Sequence, residues 1–310
     1  KRTRDLARYR WTFALIGVLL LLLPLLPGVG RTINGAQLWI QLGWASLQPG
    51  EFAKIALTIF FASYLAEKHE LLTNGDWHFR LPDPAHLGPL LLAWSAALLV
   101  MVAEKDLGSS LLLFTIFIVM IWVATSRTFY VVSGSLLFAL GAWASWAMFD
   151  HVRVRVDVWL DPWADPLGGG FQLIQGTFAL AAGGLFGVGL GLGDPSRIPA
   201  AETDFIFAVV GEELGLLGTT AVLTTFLLLV GTGLAIAIRT SDSFSKLMAL
   251  GLTAIIGIQA FVIMAGVLRV LPLTGITLPF VSYGGSSLVA NYVLLALLAR
   301  VSHENAEAKL

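Results

Sequence analysis

The sequence predicts an all-α, polytopic membrane protein, and three observations carry that prediction. Of its 310 residues, 57% are apolar and only 13% are charged, against about 25% charged in an average soluble protein. Mean hydropathy is +0.82. Apolar runs of roughly 18–24 residues recur from end to end, the length a helix needs to cross a hydrocarbon core about 30 Å thick. A transmembrane barrel would show short alternating segments instead, and these are absent. With no cysteine, the chain has no disulfide framework and no thiolate chemistry. A net charge of −1 offers no electrostatic footprint for nucleic acid.

Eight transmembrane helices are expected. The first, residues 11–29, follows the basic stretch Lys1, Arg2, Arg4, Arg8 and Arg10, which the positive-inside rule places in the cytoplasm. It resembles a signal peptide, but more spans follow and no clear cleavage site is seen, so it reads as a retained anchor. Residues 30–50 form an outside loop with Trp39 and Trp44 suited to the interface. The second span, about 51–65, carries Glu51 and Lys54 three residues apart, a helical spacing that lets them pair. Residues 66–86 form an inside loop. Spans three and four, about 87–103 and 107–125, are joined by Glu104, Lys105 and Asp106 as the outside tip of a tight hairpin. Arg127 marks the inside turn before span five, about 129–149. Spans six, seven and eight follow at about 216–238, 247–268 and 285–300, and the tail ends inside.

Between spans five and six lies the longest non-spanning region, residues 150–215, expected as a large extracytoplasmic loop. It contains an apolar segment, 171–193, long enough to cross. Seven glycines weaken it as a lipid-facing helix, and the inside excess of basic residues is larger if it does not cross. It is therefore expected to be re-entrant or interfacial, packed on protein.

Several motifs are weighed on their chemistry. Gly187–Gly193, GVGLGLG, fits neither a dinucleotide fingerprint nor a Walker loop and has no βαβ context. The five histidines, His69, His78, His86, His151 and His303, show no metal-ligand spacing. Asp204 stands apart. It lies at the outer boundary, and the apolar Phe-Ile-Phe-Ala that follows favours a raised pKa, as a general base needs. The plainer reading is that Thr203 or Asp204 caps a helix carrying Glu212 and Glu213. Lys54, Lys105, Arg153, Arg155 and Arg197, all expected outside, make an anion site for phosphate groups, although each alone reads as a paired or snorkelling side chain. Residues 271–287, LPLTGITLPFVSYGGSS, combine helix breakers with hydroxyls, the pattern of a discontinuous helix lining a cavity.

The segments NGAQLWIQLG, LQPGEFAK, EKDLGSSLL, WLDP, FQLIQGTFALAAGGLFGVGLGLG, TDFIFAVVGEELGLLG and LPLTGITLPFVSYGGSS occur in order and together resemble the signatures of the SEDS family, the RodA, FtsW and SpoVE proteins. The resemblance covers essentially the whole chain and lies nearer the elongation-type branch. It implies a ten-helix fold of which these eight spans are the third to tenth, so that the sequence lacks two N-terminal helices. It implies a single membrane domain over 1–310, with residues 150–215 carrying the active-site motif. The implied activity is a peptidoglycan glycosyltransferase that polymerises lipid II at the outer face of the bacterial plasma membrane, in elongation or shape maintenance. Asp204 takes the position of the family's essential aspartate. Substrate-binding residues are expected at Lys54, Glu104, Lys105, Arg153, Arg155, Gln175, Ser282 and Ser286. No resident metal site is expected, although a divalent cation, Mg or Mn, is open as a leaving-group aid. The implied partners are lipid II, membrane lipids and a class B penicillin-binding protein transpeptidase.

Two departures from the family pattern bear on the chemistry. Leu38 stands where the family usually has arginine, removing one cation. Glu202 stands where histidine often precedes Thr-Asp, and a like charge there would raise the pKa of Asp204 or help hold a metal. Competing functions are a lipid-linked-precursor flippase, a septal polymerase of the FtsW type, and a non-catalytic scaffold. A transporter should carry charges near mid-bilayer, whereas nearly all charges here lie at span ends.

Overall fold

The structure, a computed structural model, describes residues 3–33, 36–43, 45–73 and 84–308. A short 3-10 turn, Thr3–Tyr9, leads into α1, Arg10–Leu22. A three-stranded antiparallel sheet follows, formed by β1 (Gly30–Ile33), β2 (Ala36–Leu42) and β3 (Ala45–Leu47) in the order β1-β2-β3. Ten α-helices complete the described chain: α2 Pro49–Thr73, α3 Pro84–Ala103, α4 Leu107–Thr125, α5 Thr128–Met148, α6 Asp150–Leu160, α7 Phe171–Gly183, α8 Ile206–Arg239, α9 Ser243–Val267 and α10 Gly285–Glu307, with α1 the first. This is an integral membrane protein with a helical fold.

Among the described residues, six helical segments are long and apolar enough to cross a membrane: Thr3–Leu25, Gly108–Thr125, Thr128–Met148, Ile206–Arg239, Ser243–Val267 and Gly285–Glu307. Gly88–Ala103, in α3, is apolar but shorter. The expected second span falls in α2, which is longer than its apolar stretch. Glu67, Lys68 and Glu70 are good helix formers, so the helix runs on to Thr73 into the expected inside loop, and Glu67 pairs with Arg10 of α1. Residues 74–83 of that loop, and Trp44 of the preceding one, lie outside the described residues. The first span ends earlier than expected, at Leu25, where Pro24 sits in a closing 3-10 turn.

One departure from expectation and one agreement with it have local causes. The strands within residues 30–47 form a small sheet rather than an irregular loop; in β2, Gln37 and Gln41 fall on one face with Trp39, opposite Leu38 and Ile40, the period of a strand. Its strands pair Gly30 with Ile40 and Ile40 with Leu47. Residues 171–193 contain only the 13-residue helix α7 before the glycine-rich turns begin. At 1.5 Å per residue it is about 20 Å long, short of a roughly 30 Å core. It does not span.

The chain divides into two compact units: Lys1–Gly134 with Val230–Ile258 and Gly285–Leu310, and Ser135–Leu229 with Gln259–Gly284. In the first, α2 is the centre. Leu57, Phe60, Phe61 and Leu65 are fully buried, as expected of a helix apolar on all faces. Phe61 meets Phe117 of α4 edge-on at 5.4 Å, and Phe117 stacks on Trp94 of α3 at 5.0 Å. Gln37 of β2 fastens the sheet to this unit. Its side chain donates to the Pro24 carbonyl at 2.7 Å and its backbone N–H to the Glu104 carbonyl at 3.2 Å.

In the second unit the glycine-rich turns clasp α8 where it breaks. The N–H groups of Val188 and Gly189 donate to the carbonyls of Glu212 and Glu213 at 2.9 and 3.0 Å, and those of Leu216 and Leu217 donate back to Gly184 and Leu185. The break falls at Gly215, whose φ of 66° and ψ of −160° are not helical. The expected start of span six, residue 216, is thus the start of the second half of α8.

Candidate active site

The site is built around the segment 198–205 of the second unit. Ala200, at φ 53°, turns the chain so that its carbonyl gathers the N–H groups of Thr203, Asp204 and Phe205 at 3.2, 3.1 and 3.3 Å. Phe205 is fully buried and lies against Gly176 of α7. Its carbonyl accepts the first helical bonds, from Ala208 and Val209. Phe205 therefore occupies the N-cap position of α8, and the capping role considered for Thr203 or Asp204 is not theirs. The 278–283 loop locks the other side. Ser282 Oγ donates to the Thr203 carbonyl at 2.6 Å and accepts from Leu278 N–H at 2.8 Å, while Tyr283 N–H donates to the Glu202 carbonyl at 2.8 Å.

A second wall comes from α6 and the loop after α9. Arg155 and Trp159 are four residues apart, hence on one face of α6. Arg155 Nη1 donates to the carbonyls of Leu273 and Thr274 at 3.4 and 3.1 Å. Trp159 Nε1 donates to the Arg269 carbonyl at 2.9 Å, and Arg269 returns a bond to the Trp159 carbonyl at 3.3 Å. Between these walls lies a cavity of about 150 Å³ whose lining includes Arg155, Trp159, Gln172, Asp204 and Gly275. Burial pushes the Asp204 carboxyl above the ordinary aspartate range, and the Thr203 hydroxyl and the Arg155 guanidinium pull it back in part. The result is a carboxylate with enhanced proton affinity beside a fixed cation.

Gly275 lies against that pair. A Cβ built there would lie 3.9 Å from both Arg155 Nη2 and Asp204 Oδ2, so space alone admits it. The backbone does not, because φ is +73°, a left-handed conformation costing a side-chain-bearing residue roughly 1–2 kcal/mol. Gly275→Ala should lower stability by about that amount in a thermal unfolding measurement in detergent. A change below a few tenths of a kcal/mol would show that the loop relaxes freely.

The other residues expected in the site are distributed more widely. Arg153 pairs with Asp150 at 3.8 Å and lies over the Trp146 ring, and Arg197 pairs with Asp194 at 2.7 Å. Neither lines the cavity. Gln175, half-buried on α7, is not in its lining either. Ser282 has committed its proton to Thr203, which makes it a latch on the Asp204 segment. Glu202 is exposed and is not among the groups that move Asp204, so the expected like-charge effect is absent. Glu212 accepts from Asp194 N–H at 3.3 Å and helps hold the glycine-rich turn.

The remaining expected residues belong to the first unit. Lys54 and Glu51 pair as their spacing anticipates, Nζ lying 3.1 and 3.0 Å from the two carboxylate oxygens, with 3% and 5% exposure. Asp106 caps α4 by accepting from Ser109 N–H at 2.9 Å. Glu104 is buried, and its desolvation, with Asp106 nearby, pushes its carboxyl up to about 8. It therefore holds a proton at neutral pH. Lys105 is exposed at the same turn, with φ 61°. Ser286 Oγ accepts from Gln48 N–H at 2.9 Å, joining α10 to the entrance of α2.

Comparison with known proteins places this arrangement. Residues 2–307 match the FtsW/RodA/SpoVE family of cell cycle proteins. The chain belongs to that family. It is 52% identical over 307 residues to the peptidoglycan glycosyltransferase RodA of Mycobacterium tuberculosis, a match covering 98% of this chain and 66% of that protein. Among solved structures, it resembles a chain of a peptidoglycan synthase complex that coordinates polymerization and crosslinking. The TM-score there is 0.79 at 28% identity, over 98% of this chain and 84% of the other. It also resembles the rod shape determining protein RodA of Thermus thermophilus, with TM-score 0.67 at 26% identity over 98% and 81%. The chain thus spans just under two thirds of the mycobacterial relative's length.

Within the family frame, the polar cavity residues Trp159 and Gln172 went unmarked in the sequence, whereas Gly275 stood in the loop expected to line a cavity. Each lies inside a recognised segment, but only the docking of α6 and α7 shows which side chains face Asp204. Gln172 and Gln175 are three apart on α7, and the one nearer the helix start lines the cavity. The donor set is one carboxylate, one guanidinium and one amide. Among the described residues no cluster of three or more His, Asp or Glu stands close enough to hold a metal ion. Among the side chains lining the cavity, Asp204 alone offers a carboxylate to a divalent ion.

Proposed function

We propose that the full protein is a peptidoglycan glycosyltransferase that polymerises lipid II, with Asp204 as general base. The observation that carries this reading is the half-buried Asp204, its proton affinity raised, held beside Arg155 on a polar cavity. Asp204 takes the proton of a sugar 4-hydroxyl as that oxygen forms a bond to the anomeric carbon of the second lipid II. The bond from that carbon to the diphosphate breaks, and undecaprenyl diphosphate leaves. Arg155, fixed by two carbonyls before substrate arrives, is suited to the growing negative charge, because a preorganised donor does not have to reorganise during reaction.

The reading extends to the setting. The active site faces the extracytoplasmic side of a bacterial plasma membrane, both ends of the chain are cytoplasmic, and residues 150–215 form the loop that carries the site. Lys54, Lys105 and Arg153 serve lipid-linked substrate at other points of its path. A class B penicillin-binding protein is the partner, in keeping with the synthase complex that the chain resembles. An elongation role is favoured over a septal one by the 52% identity to a RodA protein.

The test is lipid II polymerisation by full-length protein with its transpeptidase, comparing wild type with Asp204→Asn. Movement of lipid II across vesicles without polymer would replace this reading with a flippase. The pH dependence supplies a second check. The base works as carboxylate, so activity falls as pH drops through its pKa. Because that pKa lies above the ordinary 3.8, the acid limb of kcat/KM should also lie above it. Arg155→Gln removes a group that pulls the pKa down, so the limb should move to still higher pH. An unmoved limb would separate Arg155 from the base.

A further inference from the structure

The helix α7 grips the Asp204 segment at two points one turn apart. Gln172 Nε2 donates to the Pro199 carbonyl at 2.7 Å, and Gly176, four residues on, receives the Phe205 ring, whose Cε1 would lie 2.4 Å from any added Cβ. Positions i and i+4 share a face of a helix, so one stripe of α7 holds both ends of the turn 199–205. Within that turn the Ala200 carbonyl collects three N–H groups, Asp204 among them. The residue next to the Gln172 anchor therefore fixes the backbone of Asp204. Ala200 is at φ 53°, unfavourable for a residue with a side chain, so the turn relies on its anchors to persist.

Gln172 differs from the other anchors in lining the cavity together with Asp204 and Arg155. The Pro199 carbonyl can only accept, so the NH₂ of the amide must face it. That fixes the amide orientation and leaves its carbonyl oxygen and second N–H for the remaining side. The hold on Asp204 and the polar lining of the cavity thus meet in one side chain.

We propose that Gln172 is a positioning residue for Asp204: its bond to Pro199 sets where the Asp204 carboxyl stands relative to Arg155. This inference rests on the catalytic reading of Asp204 given above. Without the bond, the turn moves, Asp204 leaves its place beside Arg155, and the hydroxyl it serves is no longer met at the right distance. Misplacement on the ångström scale costs on the order of tenfold to a hundredfold in rate.

The test uses full-length protein with its transpeptidase, lipid II as substrate, and the variants Gln172→Met and Gln172→Glu. Met keeps the length without the donor. Glu keeps the shape but turns a second acceptor toward the Pro199 carbonyl and adds a negative charge near Asp204. Both should lower kcat by about tenfold or more with KM within about twofold, and both should move the acid limb of the kcat/KM profile to higher pH. Met does so by parting Asp204 from Arg155, and Glu also by direct repulsion. Equal activity of wild type and both variants would overturn the inference while leaving the role of Asp204 intact. A loss of kcat with an unmoved acid limb would also overturn it, since a side chain that only supports the fold reduces active protein without altering the base. Wild-type protein that makes no polymer would remove the catalytic reading and this inference with it.

Discussion

Asp204→Asn should reduce lipid II polymerisation by about 10²- to 10⁴-fold, the range that a positioned general base contributes. The substitution keeps the volume of the side chain and leaves the Ala200-centred turn, the Phe205 anchor and the Ser282 latch untouched, so the protein should fold as before. What is lost is the acceptor for the sugar hydroxyl's proton. Stability should if anything rise slightly, because burial disfavours the charged form of Asp204, as its raised pKa records. The pattern to look for is a thermal unfolding midpoint at or above wild type with polymer formation near background. Full activity in the asparagine protein would end the assignment of Asp204 as base. Reduced activity with a lowered unfolding midpoint would point instead to a structural role.

The combination is diagnostic because site and fold make opposite demands on this side chain. A carboxylate held for stability would be paired closely and its pKa lowered. Asp204 is raised despite Arg155 and Thr203, which means that burial outweighs both. By contrast Asp194, its side chain 45% exposed and bonded to Ser196 and Arg197, is lowered. These two aspartates lie ten residues apart in one region, and environment alone separates them.

Much of this was legible in the sequence. The helical fold followed from apolar runs of spanning length, and the raised proton affinity of Asp204 from an acidic residue before an apolar wall. The pairing of Glu51 with Lys54 followed from their spacing. The non-crossing character of 171–193 followed from its glycines together with the larger inside excess of basic residues that a non-crossing segment leaves. Other features depended on contacts distant in sequence. Arg155 and Arg153 are two residues apart with the same chemistry, yet only Arg155 meets the Leu273 and Thr274 carbonyls, 118 and 119 residues away. Gln172 and Gln175 differ in the same way. The sheet at 30–47 was missed because its strands are only 3 to 7 residues long, too short for alternation to stand out against the spans around it. Glu202 was expected to act on Asp204 through adjacency in sequence, but its side chain lies at the exposed surface.

Lys54→Met should destabilise the protein by about 3–5 kcal/mol, the cost of removing one partner from a buried ion pair. Lys54 and Glu51 are 3% and 5% exposed on the first two turns of α2, the helix on which the first unit is packed. Losing the ammonium strands the Glu51 carboxylate where water cannot reach it. It also removes a cation that draws down the nearby Asp106, the side chain that caps α4, so the damage extends to a second helix. The double variant Glu51→Gln/Lys54→Met removes the stranded charge and should recover much of the loss, since the attraction within a buried pair is largely offset by the desolvation of both members. Thermal unfolding in detergent of the wild type, both single variants and the double variant closes this cycle. A double variant no more stable than Lys54→Met would mean that Lys54 contributes through its other contacts rather than through Glu51. Near-native stability in the Lys54→Met protein, together with lost polymerisation, would show that Lys54 acts on the substrate alone and that its pairing with Glu51 carries little of the fold.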